Sequence, residues 1–420
     1  MDAGSVTWVM VSAALVIFMT PGLALFYGGM VRAKNALNML LMNFYCLGIV
    51  PLVWVVIGYT LATSGTSPVI GNFDFFGLKG IIVGQDGGEQ LLFVFFWAAF
   101  AAITPALIAG AVADRIKFVA WVIFIPLWSV LVFSPIWYWI YGKNAAGELI
   151  GWLGERGSLD FAGGTVIHVN AGIAALAAVL VLGKRRGWPG EAMPPHSLPL
   201  VLAGAGILWF GWFGFNAGSA GAANAQAVQA FMNTFLAAAA AMLGWLIVEK
   251  IRDNHATTLG AASGIVAGLV AITPAAGYVG GMAGMAIGFI AGVICAFAVS
   301  AKFKFGFDDS LDVVGIHFVG GLTGSLLIGL FADPSGFGEL GTFDAGLFFG
   351  GGWGLLGEQA LANLAAMVWS FVLTFAILKV LDAFIGIRVS EDEEKQGLDT
   401  TLHIETAYNF GELSSSGRSV

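Results

Sequence analysis

Long runs of apolar residues, separated by short polar stretches, extend from the start of the chain to about position 386. The runs are continuous rather than alternating, which favours membrane-spanning helices over the strands of a barrel. The pattern therefore predicts an all-α polytopic membrane protein with eleven transmembrane helices. We place them at residues 6–31, 38–63, 90–112, 118–140, 162–183, 197–217, 225–250, 258–274, 277–300, 313–332 and 345–386.

The composition supports the same class of protein. Hydrophobic residues make up 58% of the 420 positions, charged residues make up only 10%, and the mean hydropathy is +0.87. A soluble protein of this length could not bury so much apolar surface. The 60 glycines suit the close helix approach on which membrane packing relies. Cys46 and Cys295 both fall inside apolar runs, so we expect two core thiols and no disulfide.

The distribution of basic residues predicts the orientation of the chain. Of the 18 Lys and Arg residues, only Lys79, Lys143 and Arg156 fall in one set of alternate loops, and the rest fall in the opposite loops and the tail. Basic residues are enriched in cytoplasmic loops. We therefore expect the amino terminus outside the cell, a transmembrane domain over residues 1–386, and a polar, acidic cytoplasmic tail over residues 387–420.

Two histidines lie within predicted transmembrane helices. An ionisable side chain at such a depth is costly and usually faces a pore or a partner. A lone histidine of this kind is more often a satisfied core residue, but His168 and His317 share a local frame in which a glycine follows four residues later, at Gly172 and Gly321. The repeated frame predicts two inverted halves, at about 6–183 and 197–332, that share one site. The helix at 345–386 is then additional to the repeat.

Other chemistry is sparse. The sequence has no phosphate loop, no Cys/His spacing typical of a metal site and no Ser-His-Asp arrangement, so we expect neither an enzyme nor a bound cofactor, and no nucleic-acid partner. Asp308, Asp309 and Asp312 cluster before the tenth predicted span. We favour helix capping and loop solvation for them over ion binding. Asp382 is expected to brace helices.

Four segments carry a family resemblance. They are P-G-L-A-L-F-Y-G-G-M-V-R-A-K-N at 21–35, L-D-F-A-G-G-T-V-I-H at 159–168, G-W-F-G-F-N-A-G-S-A at 211–220 and D-D-S-L-D-V-V-G-I-H at 308–317. Together they resemble the ammonium transporter/methylammonium permease family, which is related to the Rhesus glycoproteins. The tail at 388–408 resembles the microbial ammonium transporter branch. The resemblance implies an eleven-helix fold that assembles as a homotrimer with one pore in each subunit.

The resemblance also implies roles for individual residues. His168 and His317 correspond to the twin histidines of the family's pore, and Phe100 and Phe215 to the pair of phenyl rings that gate it. Ser219 corresponds to the serine that accepts a hydrogen bond from the recruited cation. These assignments rest on the motif frames, because any single one of the 34 phenylalanines is more often a packing residue.

Three further residues are grouped with the substrate-binding set. Asp160 matches the aspartate near the outer recruitment site, although a helix cap or a loop brace accounts for it equally well. Phe96 stands one helical turn before Phe100 and is expected to line the outer vestibule. Trp212 is expected to be structural or to lie beside the pore.

The outer cation site departs from the family pattern. Where the family usually has Trp, the match of Pro135-Ile136 places Tyr141, followed by an insertion from about Lys143 to Glu148. Tyr offers a weaker π face to a cation than Trp does. Either the outer site binds less tightly, or Trp152 replaces the missing indole.

The implied function is transport of ammonium, ammonia or methylammonium across the cell membrane. The ion would be recruited in the vestibule and deprotonated at the gate, and ammonia would cross the pore; whether the proton follows is left open. An ammonium sensor that moves little substrate is the alternative, and a channel for another small neutral molecule is a weaker third. The tail resembles a regulatory segment that receives trimeric PII-type signalling proteins. Membrane lipid is the remaining expected partner.

Overall fold

The computed structural model describes residues 1–83, 88–144 and 146–408. Residues 409–420 of the predicted tail and Ala145 of the predicted insertion lie outside the described residues. The described chain is helical, apart from turns, loops and two isolated β-bridges. The predicted all-α polytopic architecture is therefore confirmed.

The apolar runs form a series of long helices. In chain order they are α1 (Ala3–Met30), α2 (Ala33–Thr63), α3 (Gly88–Val112), α4 (Phe118–Tyr141), α5 (Gly164–Leu182), α6 (Leu198–Gly218), α7 (Ala225–Asp253), α8 (Thr258–Ile272), α9 (Gly281–Phe305), α10 (Val314–Phe331) and α11 (Gly354–Ile385). Within the described ranges, ten of these are long and apolar enough to cross a membrane, and α8 is shorter. The number of crossings and the direction of insertion stay predictions.

The start of the last span was predicted wrongly. The apolar run begins at residue 345, whereas α11 begins at Gly354. Between them lie a 3-10 turn over Leu347–Phe349 and the glycines Gly350 and Gly352, whose φ angles are +92° and +70°. A helix cannot continue through these left-handed conformations, which glycine adopts without steric cost. The helix is therefore interrupted here although the segment is apolar.

The two halves of the chain meet along α1 and α6, which pack closely. Gly204 of α6 lies against the backbone of Phe26 in α1, so that a side chain at this position would collide with the main chain. Gly211 lies in the same way against Met19 and the carbonyl oxygen of Leu15. Small residues at such contacts let two backbones approach and gain van der Waals contact.

The tail folds back on the helices. It contains α12 (Glu391–Gln396) and α13 (Leu398–His403). The Asp399 carboxylate accepts hydrogen bonds from the backbone N–H groups of Leu37 and Asn38, at 3.0 and 2.8 Å, in the first turns of α2. The backbone N–H of Leu398 donates to Asn35 Oδ1 at 2.8 Å. A residue from the far end of the chain therefore caps the second helix.

A second contact holds the tail to the loop after α5. Glu394 is buried; its Oε1 accepts a hydrogen bond from the backbone N–H of Arg186 at 2.7 Å, and its Oε2 pairs with Arg388 at 2.9 Å. Lys34 also donates to the backbone oxygen of Glu394 at 3.1 Å. Residues 388–399 are thus held on the helical domain through buried side chains, whereas Ile404 further along is 90% exposed.

Candidate functional site

The two predicted pore histidines lie side by side in the interior. His168 and His317 are 2% and 3% exposed, and their Nδ1 atoms are 3.2 Å apart. Their rings are nearly parallel, with centroids 5.3 Å apart and an interplanar angle of 18°. His168 Nε2 is buried and has no hydrogen-bond partner among the described residues. The structure therefore brings together two side chains that are 149 positions apart in sequence.

Both histidines sit in π-helical turns that open their helices. The turn Gly164–Val169 begins α5 and carries His168, and the turn Val314–Phe318 begins α10 and carries His317. Such wide turns are rare in proteins, and those that occur are often found at functional sites. Here they place the two imidazoles at equivalent positions in the two halves of the chain.

The glycines of the repeated frame each lie against the opposite histidine-bearing helix. Gly172, four residues after His168, lies against the backbone of Phe318 in α10. Gly321, four residues after His317, faces the Cβ atom of His168. Each glycine therefore leaves room for the other histidine-bearing segment, which explains why the frame repeats.

Each histidine helix is also capped by a buried aspartate eight residues earlier. The Asp160 carboxylate accepts hydrogen bonds from the backbone N–H groups of residues 163–166, at 2.6–3.1 Å. Asp309 Oδ2 accepts one from Val314 N at 2.7 Å. Burial raises the pKa of Asp160 to about 6, against the opposing effect of these N–H groups, and burial also raises the pKa of Asp309. For Asp160, the geometry is that of a cap.

Helix capping and loop solvation were expected for the three aspartates before the tenth span. Capping is confirmed for Asp309, whereas solvation is wrong for Asp308 and Asp309. Asp308 and Asp309 are each 1% exposed. Asp308 forms a bidentate ion pair with Arg185, with both N···O distances at 2.9 Å, while Asp309 caps α10. Asp312, which is partly exposed, pairs with Lys302. These side chains organise the end of the bundle that also receives the tail.

A narrow apolar cavity surrounds the histidine pair. Its volume is about 10 Å³, which is room for about one water-sized molecule. Apart from the two imidazoles and the indole of Trp212, its walls are aliphatic, thioether or phenyl. The lining residues are Met19, Leu23, Phe26, Ile103, Leu107, Ile167, His168, Leu208, Trp212, Phe215, Val266 and His317.

Two stacked phenyl rings close this cavity on one side. The centroids of Phe100 and Phe215 are 4.2 Å apart, with an interplanar angle of 20°. Phe100 lines a second, large cavity, whereas Phe215 lines the narrow one. Phe96 packs edge-on against Phe100, with the centroids 4.8 Å apart. The pair therefore stands between a wide space and a narrow space.

The wide space is a vestibule of about 1290 Å³. Its lining includes Phe96, Phe100, Tyr141, Asp160 and Ser219, all of which the motif frames had singled out. The Ser219 hydroxyl donates a hydrogen bond to the backbone oxygen of Phe215 at 2.7 Å, which leaves the lone pairs of the Ser219 oxygen free to accept.

Tyr141 closes one wall of the vestibule. Its ring packs edge-on against Trp137, with the centroids 5.0 Å apart, and its hydroxyl is buried without a hydrogen-bond partner among the described residues. Trp152 packs instead against Trp139 at 5.9 Å and is not among the vestibule-lining residues. The position that corresponds to the family's indole is therefore occupied by Tyr141, and Trp152 does not replace it.

Trp212 lies below the phenyl pair rather than in the vestibule. Its ring stacks on His168, with the centroids 5.4 Å apart and an interplanar angle of 20°. Its indole N–H donates to Thr273 Oγ1 at 2.8 Å. Trp212 therefore contacts His168 and is not among the residues that line the wide cavity.

The motif frames missed several vestibule residues. Trp137, Trp97 and Tyr278 contribute aromatic walls, and Lys143 of the insertion adds a positive charge at the rim. The spacing of Trp137 and Tyr141 by four residues on one helix was a usable signal, because such residues share a face. Among the described residues, no group of three or more His, Cys, Asp or Glu side chains is placed to hold a metal ion.

Comparison with known proteins identifies the family of this chain. The Ammonium Transporter Family matches residues 7–408. An ammonium transporter of Mycobacterium tuberculosis is 48% identical over 439 residues, which cover 99% of this chain and 92% of the relative.

Solved structures have the same fold. Candida albicans Mep2 is 36% identical, with a TM-score of 0.86, over 94% of this chain and 88% of that one. A protein described as a sensor Amt protein is 29% identical, with a TM-score of 0.87, over 95% and 98%. The chain belongs to the ammonium transporter family and is a multi-pass membrane protein.

Proposed function

We propose that this protein binds ammonium or methylammonium in the vestibule, removes a proton at the phenyl pair and conducts the neutral amine past His168 and His317. One observation carries the proposal. A stacked phenyl pair separates a wide, partly polar vestibule from a narrow apolar cavity. The narrow cavity has room for about one small molecule and is lined by two imidazoles.

The energetics explain why the charge must be left behind. Moving a bare monovalent cation into a low-dielectric space costs on the order of tens of kcal/mol. Potassium and ammonium have similar size and charge, but only ammonium can avoid this cost by giving up a proton. A dry, narrow cavity therefore favours the neutral form and selects against potassium.

The vestibule supplies weak, cation-compatible contacts. The Tyr141 ring offers a π face, and the oxygen of Ser219 has lone pairs available because its proton is donated to the main chain. The carboxylate of Asp160 contributes negative potential to the same space while its oxygens cap α5. These groups gather the ion without desolvating it fully.

Among the described residues that line the narrow cavity, only the two imidazoles and the Trp212 N–H are strong hydrogen-bonding groups, and the Trp212 N–H is already donated to Thr273. A neutral amine crossing the cavity exchanges hydrogen bonds with His168 and His317. An imidazole ring can also accept a proton at one nitrogen and release it from the other, so the pair offers a route by which the proton follows the amine.

The membrane orientation, the assembly and the protein partner are proposed from the charge distribution and from the family. We propose insertion in the cell membrane with the vestibule outside and the docked tail in the cytoplasm, since the basic loops lie at the tail's end of the bundle. We further propose assembly as a homotrimer and binding of a PII-type protein at the cytoplasmic face. The docked segment 388–408 supplies a folded surface for that contact.

A sensor is the second candidate, supported by the similarity to the sensor Amt protein. Purified protein in liposomes on a solid-supported membrane separates the two functions. A sustained current after an ammonium pulse, absent after a potassium pulse, is the result expected for the transporter. A brief charge displacement that saturates on binding would contradict transport and favour the sensor.

A further inference from the structure

Helix α11 lies outside the predicted repeat but turns a stripe of polar side chains inward. Gln359, Asn363, Ser370 and Thr374 share one face of the helix and are each at most 1% exposed. Polar groups in a membrane interior require partners, because lipid offers none. The partners of the first three lie on the segments that carry the pore histidines.

Gln359 holds the backbone immediately before Asp160. Its Oε1 accepts a hydrogen bond from Leu159 N at 2.7 Å, and its Nε2 donates to Leu159 O at 2.8 Å. The same Nε2 donates to Ser325 Oγ in α10 at 3.0 Å. One amide thus connects the start of the His168 segment to the body of the His317 helix.

Asn363, one turn further along α11, makes the same connection inside the helices. Its Oδ1 accepts a hydrogen bond from Thr165 Oγ1 at 3.0 Å, and its Nδ2 donates to Ser325 Oγ at 2.7 Å. Thr165 precedes His168 by three residues in the same π-helical turn. Ser325 follows His317 by eight residues, about two turns along α10.

From these contacts we propose that Asn363, supported by Gln359, is a positioning residue that fixes the spacing of His168 and His317. The inference rests on the proposed function of the histidine pair. The two imidazoles belong to separate helices, and their Nδ1 contact is directional and short-ranged. The asparagine joins those helices through the hydroxyls of Thr165 and Ser325, which cannot find other partners in lipid.

The π-helical turns explain why an external clamp is needed. In Gly164–Val169 the hydrogen bonds are wider than in an α-helix, so the backbone that carries His168 is set less firmly by its own helix. The aspartate caps fix one end of each turn. Asn363 adds a fixed point that is shared by both helices, which neither cap provides.

The test replaces Asn363 with Leu in the full-length protein, a substitution that keeps the branching of the side chain and removes its hydrogen bonds to Thr165 and Ser325. It also removes a bond from Asn363 Nδ2 to the backbone oxygen of Gln359 within α11. The matched control is Thr374→Val on the same helix, which removes the buried hydrogen bond from Trp128 Nε1 at 2.9 Å. Both variants lose polar contacts of α11, but only the first touches the histidine segments. We expect the ratio of ammonium current to potassium leak to fall roughly tenfold for Asn363→Leu. The control should keep the wild-type ratio.

A second variant and a direct measurement guard against a folding defect or an inactive protein. Ser325→Ala removes the acceptor that Gln359 and Asn363 share, and should act in the same direction. Cryo-electron microscopy of each variant should show the His168 Nδ1 to His317 Nδ1 distance lengthened beyond hydrogen-bonding range. Unchanged histidine spacing in both variants would overturn the inference. Failure of the wild-type protein to carry current would instead count against the proposed function. The histidine spacing measured in the variants would still test the positioning role of Asn363.

Discussion

The Nδ1 atoms of His168 and His317 face each other at hydrogen-bond distance, so only one of the two nitrogens can carry the proton between them. The tautomer of one ring therefore fixes the tautomer of the other. In such an arrangement one imidazole presents an Nε2 acceptor and the other an Nε2 donor to the cavity. Removing either ring leaves the remaining Nδ1 without its partner in a space that is otherwise almost entirely apolar.

Replacing His168 or His317 with Ala is therefore expected to abolish selective ammonium transport and to open a leak to potassium. Water would fill the enlarged lumen and weaken the demand for deprotonation. Currents from reconstituted protein, with ammonium and potassium pulses in turn, measure both effects. His255→Ala, at an exposed position, is the control for loss of a histidine. Two pore variants with normal ammonium currents and no leak would show that the histidines do not form the conduction path.

Replacing Tyr141 with Trp should tighten the apparent affinity for ammonium. Indole is the better cation–π partner, and the gain expected at a partly exposed site is about 0.5–1 kcal/mol. That corresponds to an approximately two- to fivefold lower half-saturation. Tyr141→Ala should raise the half-saturation. The measurement is the concentration dependence of the transport current. An unchanged half-saturation in both variants would remove the ring of Tyr141 from cation recruitment.

Lys143 should oppose cation recruitment through its charge. It lines the vestibule two residues after Tyr141, in a space that also contains Asp74, Asp160 and Asp344. Lys143→Gln should lower the half-saturation for ammonium at low ionic strength. The difference should shrink with an impermeant salt near 1 M, where the Debye length is about 3 Å.

Lys79 is the matched control for this prediction. It is also exposed and falls in the same set of loops, but it is not among the residues that line the vestibule. Lys79→Gln should leave the half-saturation unchanged at every salt concentration. An effect of Lys143→Gln that persists in high salt would contradict a long-range electrostatic effect of the Lys143 charge and would indicate a direct contact instead.

Truncation after Arg388 should reduce both basal transport and PII binding. It removes the Asp399 carboxylate from Leu37 and Asn38 and the Leu398 N–H from Asn35. Loss of such a cap costs about 0.5–2 kcal/mol, concentrated at the first turns of α2. Transport currents and a pull-down with the PII protein of the same organism measure the two effects.

A point variant separates the cap from the rest of the tail. Asp399→Ala should make the tail more sensitive to protease, whereas Asp392→Ala, on the exposed side of α12, should not. A truncated protein with full transport and unchanged PII affinity would limit the docked tail to a passive role.

The helices were predictable from the sequence because lipid imposes a simple rule on it. A segment that crosses a bilayer must be apolar along its length, and the apolar runs mark α1 to α10 within a few residues. The start of α11 was not predictable in this way. Gly350 and Gly352 are as compatible with a hydropathy profile as any helical glycine, and only their backbone angles end the run.

The site was predictable at the positions where its geometry requires the same residues in both halves of the sequence. The frames around His168 and His317 repeat in the sequence, because each glycine accommodates the opposite helix. The spacing of Asp160 and Asp309 before the histidines repeats too, and helix capping was among the roles that the sequence suggested for both. By contrast, the polar residues of α11 share a face, but nothing in their spacing names Thr165 or Ser325 as partners. That pairing depends on how three helices meet.

The cap that Asp399 places on α2 also constrains how the protein is made. Translation delivers Leu37 and Asn38 early and Asp399 only after every membrane helix has been synthesised. The N–H groups at the start of the second helix must therefore wait for the end of synthesis before they meet their acceptor. Docking of the tail is thus a late step in biogenesis. A chain that stalls before this point would hold its membrane helices while the start of the second helix still lacks its cap.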